Sequence, residues 1–251
     1  MSSAYETAVL ADGPFHYWRC DDAGGGYIQD HQAVTLRPLI AQGQQIGLGY
    51  SGPVSDGGSC LVDANFGFAF YDFETIANPF SAELWFWQAY FQNVIQTFLT
   101  IQTAAAASTC VVRADATGHL AVFGPAANFT SAAVHSRSAW HHVVVTFDGV
   151  NMRTYMDNVL LDTRAQGAFS QASRFIIGSA NANGTPMAGS LSEIALYASA
   201  LSAARVAIHY NSADRVGINP TNQSQQQSGG VLPAPYGDTL SDILAAVRKF
   251  F

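Results

Sequence analysis

Lysine is almost missing from this sequence: Lys249 is the only one, and 18 acidic residues outnumber 11 basic ones across 251 residues. The net charge of −7 comes with no basic cluster, so the electrostatic footprint that phosphate backbones demand is absent and nucleic acid is excluded as a partner. Long apolar runs are missing too. Stretches such as Ala104–Ala107 and Val143–Val145 are far too short to span a bilayer. Met1–Leu10 has neither the basic start nor the apolar middle of a secretory leader, so a soluble protein with no membrane partner is expected. Cys20, Cys60 and Cys110 form no CxxC pair, which excludes the usual zinc spacings. Buried thiols acting as small hydrophobes are expected, with a Cys20–Cys60 bridge left open.

Signatures of catalysis are equally scarce. There is no GxSxG elbow, and Gly24–Gly25–Gly26 lacks the lysine and helix of a phosphate loop. No E-x-D-x-E run occurs, the pattern that sets closely spaced carboxylates on one strand for glycan hydrolysis. Asp21–Asp22 and His141–His142 are adjacent pairs, and neighbours on a strand point to opposite faces, so neither pair converges on one ion or substrate. No catalytic residue is expected.

What is present is β-structure. Apolar and β-branched runs such as Phe15–Arg19, Gln96–Gln102, Cys110–Ala114, His119–Val122 and Phe175–Ile177 are separated by Gly, Asp, Asn and Pro. That spacing predicts an all-β sandwich of two antiparallel sheets. In Glu83–Leu84–Trp85–Phe86–Trp87 both faces are largely apolar, which predicts a central strand covered on each side. Asp148–Gly149 and Asp157–Asn158 supply tight hairpin turns, predicting a three-stranded meander. The one helix expected inside the domain starts at Ser202, whose hydroxyl caps it, with Val206 and Tyr210 on one face.

After residue 213 the composition changes. Residues 214–238 read as a polar Gln-, Gly- and Pro-rich linker. Residues 239–251 read as an amphipathic helix: Thr239 and Asp242 form a capping-box-like start, and Leu240, Ile243, Leu244, Val247 and Phe251 fall at helical spacing. A stripe that short needs a partner to be stable, so it is assigned to anchoring or oligomerisation.

Four stretches in order resemble the laminin G-like, concanavalin A-like jelly-roll family. Ala8–Pro14 with Tyr17–Trp18–Arg19 and Asp21–Asp22 is similar to the family's opening strand, and Pro79–Trp85 to its "PFTVEAW" strand. Trp140–Val144 with Phe147–Asp148–Gly149 is similar to its central hairpin. Gly189–Tyr197, Ala200–Leu201–Ser202 and His209–Tyr210 are similar to its closing strand and helix. The resemblance covers residues 1–213 and implies a concanavalin A-like jelly-roll sandwich that binds a glycan or a host surface.

Members of such families often hold calcium at the sandwich rim, which implicates Asp21, Asp22, Asp30 and Asp63. Aromatic rings near loops are the usual sugar platforms, here Tyr27, Tyr50 and Tyr90, while Trp18, Trp85, Trp87 and Trp140 fall in strand patterns and are expected in the core. By analogy, a sandwich tethered to a short helix resembles bacteriophage tail and capsid accessory proteins. The expected role is a non-enzymatic virion subunit, homo-oligomeric or joined to other virion subunits through 239–251, with a host-surface glycan as ligand. The alternative is a lectin-type module at the bacterial cell surface.

Overall fold

The computed structural model describes residues 2–23, 26–32, 38–42, 46–62, 68–76, 78–88, 94–103, 105, 107–169, 172–180 and 184–214. Along the chain lie α1 (Ala4–Ala11), β1 (His16–Trp18), β2 (Tyr27–Ile28), β3 (Leu39–Gln42), β4 (Ile46–Ser51), β5 (Gly58–Val62) and β6 (Phe68–Ile76). Then follow β7 (Phe80–Gln88), β8 (Gln96–Gln102), β9 (Ser108–Ala114), β10 (His119–Phe123), β11 (Asn128–Val134) and β12 (Trp140–Phe147). The rest are β13 (Asn151–Met156), β14 (Val159–Ala165), β15 (Ala172–Ile177), β16 (Gly189–Tyr197) and α2 (Ala203–Ser212). The first sheet runs β14-β13-β12-β7-β16-β5-β4 with β1 also on β16, and the second runs β11-β10-β9-β8-β15-β6-β3-β2. The pairings are antiparallel, as expected of a jelly-roll sandwich.

Alternation divides the buried side chains between two cores. Leu84, Phe86, Val143, Val145 and Phe147 point between the sheets, where Phe86 stacks on Phe98 at 4.2 Å and Trp18 on Phe175 at 5.3 Å. Trp85 and Val144, one residue out of phase, point to the other side of the first sheet and pack under α1 and α2 with Tyr5, Val9, Tyr197 and Val206. The two-faced strand thus has a cover on each side, and Tyr210 of α2 stacks on Trp85 at 5.8 Å. Among the described residues no helix is long and apolar enough to cross a membrane.

The hairpins follow their turn residues. Gly149 has φ +101°, and Asp148 Oδ1 accepts from the amides of Val150 and Asn151; Asp157 and Asn158 sit at φ +51° and +66° between β13 and β14. Ser202 caps α2 by accepting from Arg205 N. One expectation needs correction. Ser202 does not start the only helix: Ala8–Ala11, read as part of an opening strand, finish α1, which Ser3 caps by accepting from Glu6 N at 3.1 Å. The cysteines match the expectation: all three are free and buried, so the Cys20–Cys60 bridge left open is not formed. The Cys20 and Cys60 thiols are buried neighbours, and burial raises Cys20 and pushes Cys110 up to about 12. Residues 215–251, with the linker and the stripe Leu240, Ile243, Leu244, Val247 and Phe251, lie outside the described residues.

Candidate functional site: the outer face of the second sheet

The two outer faces of the sandwich differ. On the first sheet, α1 and α2 seal a charged network against β7 and β16. Glu83 is 1% exposed and accepts from Tyr197 Oη at 2.8 Å, while its other oxygen lies 2.9 Å from His209 Nδ1 and 3.6 Å from His142 Nε2. His209 Nε2 is in turn 2.9 Å from Asp12, which also takes Arg205 at 2.7 Å, tying α1 to α2. Burial works to raise Glu83, but His209 and His142 hold it well below the usual carboxylate range. Burial likewise opposes charge on His209, yet Glu83 and Asp12 raise its pKa above the ordinary value.

A second buried acid, Glu193, is pushed up to about 8 by burial, against the pull of Arg19 and of the Tyr17 hydroxyl that donates to it. Neither Glu83 nor Glu193 is reachable by a substrate, because both are buried to 1% exposure or less. His141, by contrast, points between the sheets and is fixed by Asp157 at 2.6 Å. As their adjacent positions dictate, His141 and His142 serve opposite faces and hold no common ion.

The rim aspartates are each engaged separately. Asp30 meets His16 Nδ1 at 2.6 Å and accepts from Tyr17 N, Asp22 accepts from Gln29 N, and Asp21 meets His31 Nε2 at 3.0 Å. Nearby, the Arg19 guanidinium lies 2.6 Å from Asp56, 3.2 Å from Glu6, 3.3 Å from Glu193 and 4.0 Å from Asp21. An internal cation thus sits among the acids at this end of the sandwich. Among the described residues no group of three or more His, Cys, Asp and Glu side chains is placed to hold a metal ion, and Asp63 lies outside them.

On the second sheet no helix covers the outer face among the described residues. Its ladder lines up Asn128, Phe123, Val111, Thr100, Ile176, Phe70, Ile40 and Tyr27 in one row across the strands. The middle is closed by the segment after β15, where Thr100 Oγ1 donates to Ser179 O and Gln102 Nε2 to Ala180 O. Among the described residues the two ends stay open. At one, Tyr27 is 50% and Ile40 45% exposed beside a half-buried Phe70, with the Arg174 guanidinium 5.0 Å from that ring. At the other, the Arg113 guanidinium lies 4.0 Å over Phe123.

Of the predicted sugar platforms, Tyr27 lies on this face. Tyr50 lies on β4 of the first sheet, folded over Gly47, and Tyr90 is outside the described residues. Trp18, Trp85 and Trp140 are buried and Trp87 half-buried, as their strand positions imply. Sequence reasoning missed Phe70, Arg113, Phe123 and Arg174; the available signal was Val111/Arg113 and Ala121/Phe123 alternating against the core residues Val112 and Val122. It also passed over Asp72–Phe73–Glu74 on β6, two acids at the spacing of half a glycan-hydrolase run, with Asp72 opposite Arg174 in the ladder.

Residues 65–207, more than half of the chain, match the family model described as the concanavalin A-like lectin/glucanases superfamily. The chain belongs to that superfamily. Solved structures share the fold at low identity. Domain 4 of AbnA, an extracellular arabinanase from Geobacillus stearothermophilus solved with arabinotriose, aligns at TM-score 0.58 and 14% identity over 80% of this chain and 98% of that one. The botulinum neurotoxin serotype D ligand-binding domain, solved with N-acetylneuraminic acid, aligns at 0.61 and 10% over 81% of this chain, which spans 52% of that one. Trypanosoma rangeli sialidase, solved with sialic acid, aligns at 0.61 and 14% over 82% of this chain but only 33% of its own length. No curated protein sequence matches the chain.

Proposed function

We propose that this chain is a non-catalytic carbohydrate-binding domain that takes its ligand on the outer face of the second sheet. The observation that carries the reading is the pairing of arginine with an aromatic ring at both open ends of that face. Ring faces stack on the C–H faces of sugars, and guanidinium groups donate to their hydroxyls. The arabinanase domain supports it, because nearly all of that domain is matched and it was solved with an arabinose oligosaccharide. The toxin and the sialidase are matched only in part, so their sugars are not carried over.

A panel of immobilised oligosaccharides probed with and without chelator tests the reading. Specific retention that survives chelation is expected. Retention lost with chelator would return the site to the rim acids Asp21, Asp22, Asp30 and Asp63 and to calcium, and no retention at all would contradict the proposal.

Within this reading we place the domain in a bacteriophage virion, as a tail or capsid accessory subunit; attachment to a bacterial cell surface is the alternative. Support comes from the sequence of the tail, where a polar tether precedes the apolar stripe Leu240, Ile243, Leu244, Val247 and Phe251. A tether of that kind gives a short helix the reach to pair with another copy or another subunit. Deleting 216–251 is expected to leave a cooperatively folded monomer and to abolish self-association in sedimentation velocity. An oligomer that survives the deletion would contradict the assembly role.

A further inference from the structure

We propose that the Arg113–Phe123 end of the open face binds the carboxylate of an acidic sugar, so that the ligand is a uronate-type glycan. This rests on the glycan-binding reading above. Arg19, Arg153, Arg164 and Arg205 each meet a carboxylate oxygen at 2.6 to 2.7 Å. Arg113 meets none among the described residues, and its buried Nε has no hydrogen-bond partner. Asp115, the acid that acts on it electrostatically, is engaged elsewhere: its Oδ1 accepts from Thr117 and from His119 N, and its Oδ2 lies 3.3 Å from His119 Nδ1. Burial therefore lowers the Arg113 pKa without a matching counter-charge.

The surroundings complete a site. Phe123 supports one face of the guanidinium, which leaves the in-plane donors free for a planar bidentate partner. The ladder sets Arg113 opposite Ala121, Ala121 opposite Thr130, and Phe123 opposite Asn128. Small Ala121 lies between the arginine and exposed Thr130, and Phe123 separates Val111 from exposed Asn128; neither polar side chain has a hydrogen-bond partner among the described residues. One charged donor fork beside an amide and a hydroxyl matches a pyranose carrying one carboxylate and several hydroxyls. A neutral sugar would leave the half-buried charge uncompensated.

The test uses the full chain with oligogalacturonate, the same oligomer as its methyl ester, and neutral arabino-oligosaccharides, each titrated calorimetrically. The acid form is expected to bind about tenfold or more tightly than the ester, as charge-assisted hydrogen bonds imply. Arg113→Gln should erase that preference, bringing the acid form down to the affinity of the ester, with the thermal midpoint unchanged, and Arg113→Lys should keep part of it. Equal binding of acid and ester by the wild type, binding of the neutral oligomers alone, or a preference that survives Arg113→Gln would each overturn the acidic-sugar site and leave glycan binding standing. Failure of all three ligands would overturn both.

Discussion

Glu83→Gln lowers the thermal midpoint of this protein by about 10 °C at neutral pH, the largest effect expected of any isosteric change. The substitution keeps the shape but leaves His209 without its main counter-charge beneath α1 and α2. Breaking a buried ion pair by removing one partner costs roughly 3–5 kcal/mol, and a domain of this size loses about 2–4 °C per kcal/mol.

The pH dependence separates charge from packing. Glu83 has a folded pKa below its unfolded value of 4.5, so its contribution is complete above 4.5 and is lost as the pH falls through the folded value. The gap between wild type and Glu83→Gln should therefore narrow in strong acid. His209 has a folded pKa above 6.5, so its contribution is complete below 6.5 and fades as the pH rises through the folded value. Glu193, raised to about 8, loses its contribution between 4.5 and 8. Both predict that the wild type weakens on the alkaline side. Scanning calorimetry from strong acid to mild alkali reads all of this. A midpoint unchanged by Glu83→Gln, or a gap independent of pH, would show that the histidines do not hold a charged Glu83.

Tyr27→Ala weakens glycan binding by about tenfold or more, the loss typical of a central aromatic contact, and leaves stability nearly untouched. The separation follows from exposure. Tyr27 is 50% exposed, and surface changes away from structural features stay within about 0.5 kcal/mol. Phe70→Ala should weaken binding as well, because it removes the ring beneath Arg174 and beside Ile40, but it also costs some stability because Phe70 is half-buried. Parallel calorimetric titration and thermal unfolding of both variants distinguish a binding surface from a merely packed one. Unchanged affinity in Tyr27→Ala would remove this end of the face from the site.

Local chemistry in the sequence explains much of the fold. Asp148–Gly149 and Asp157–Asn158 carry their turns in their own φ preferences, Ser202 carries its cap, and the alternation through Glu83–Trp87 carries both cores. Helix α1 was equally legible in Ser3–Ala4–Tyr5–Glu6, a capping box, but the resemblance of Ala8–Pro14 to an opening strand masked it. The open face was legible only in part. Tyr27 shows itself as an aromatic after a glycine run, whereas Phe70 and Arg174 meet only because β6 pairs with β15, about a hundred residues away. No local pattern encodes that pairing. Arg113 reads in sequence as one polar position in an apolar strand, and only the fold shows that it meets no counter-ion among the described residues.

The most direct test is a backbone and side-chain NMR titration of the full chain with the oligosaccharide best retained on the glycan panel. Shift changes should concentrate on Tyr27, Ile40, Phe70, Arg113, Phe123 and Arg174, with Tyr5, Glu83 and His209 beneath the helices silent. Changes confined to Asp21, Asp22, Asp30 and Tyr50, and abolished by chelator, would contradict the open-face site and assign binding to the rim.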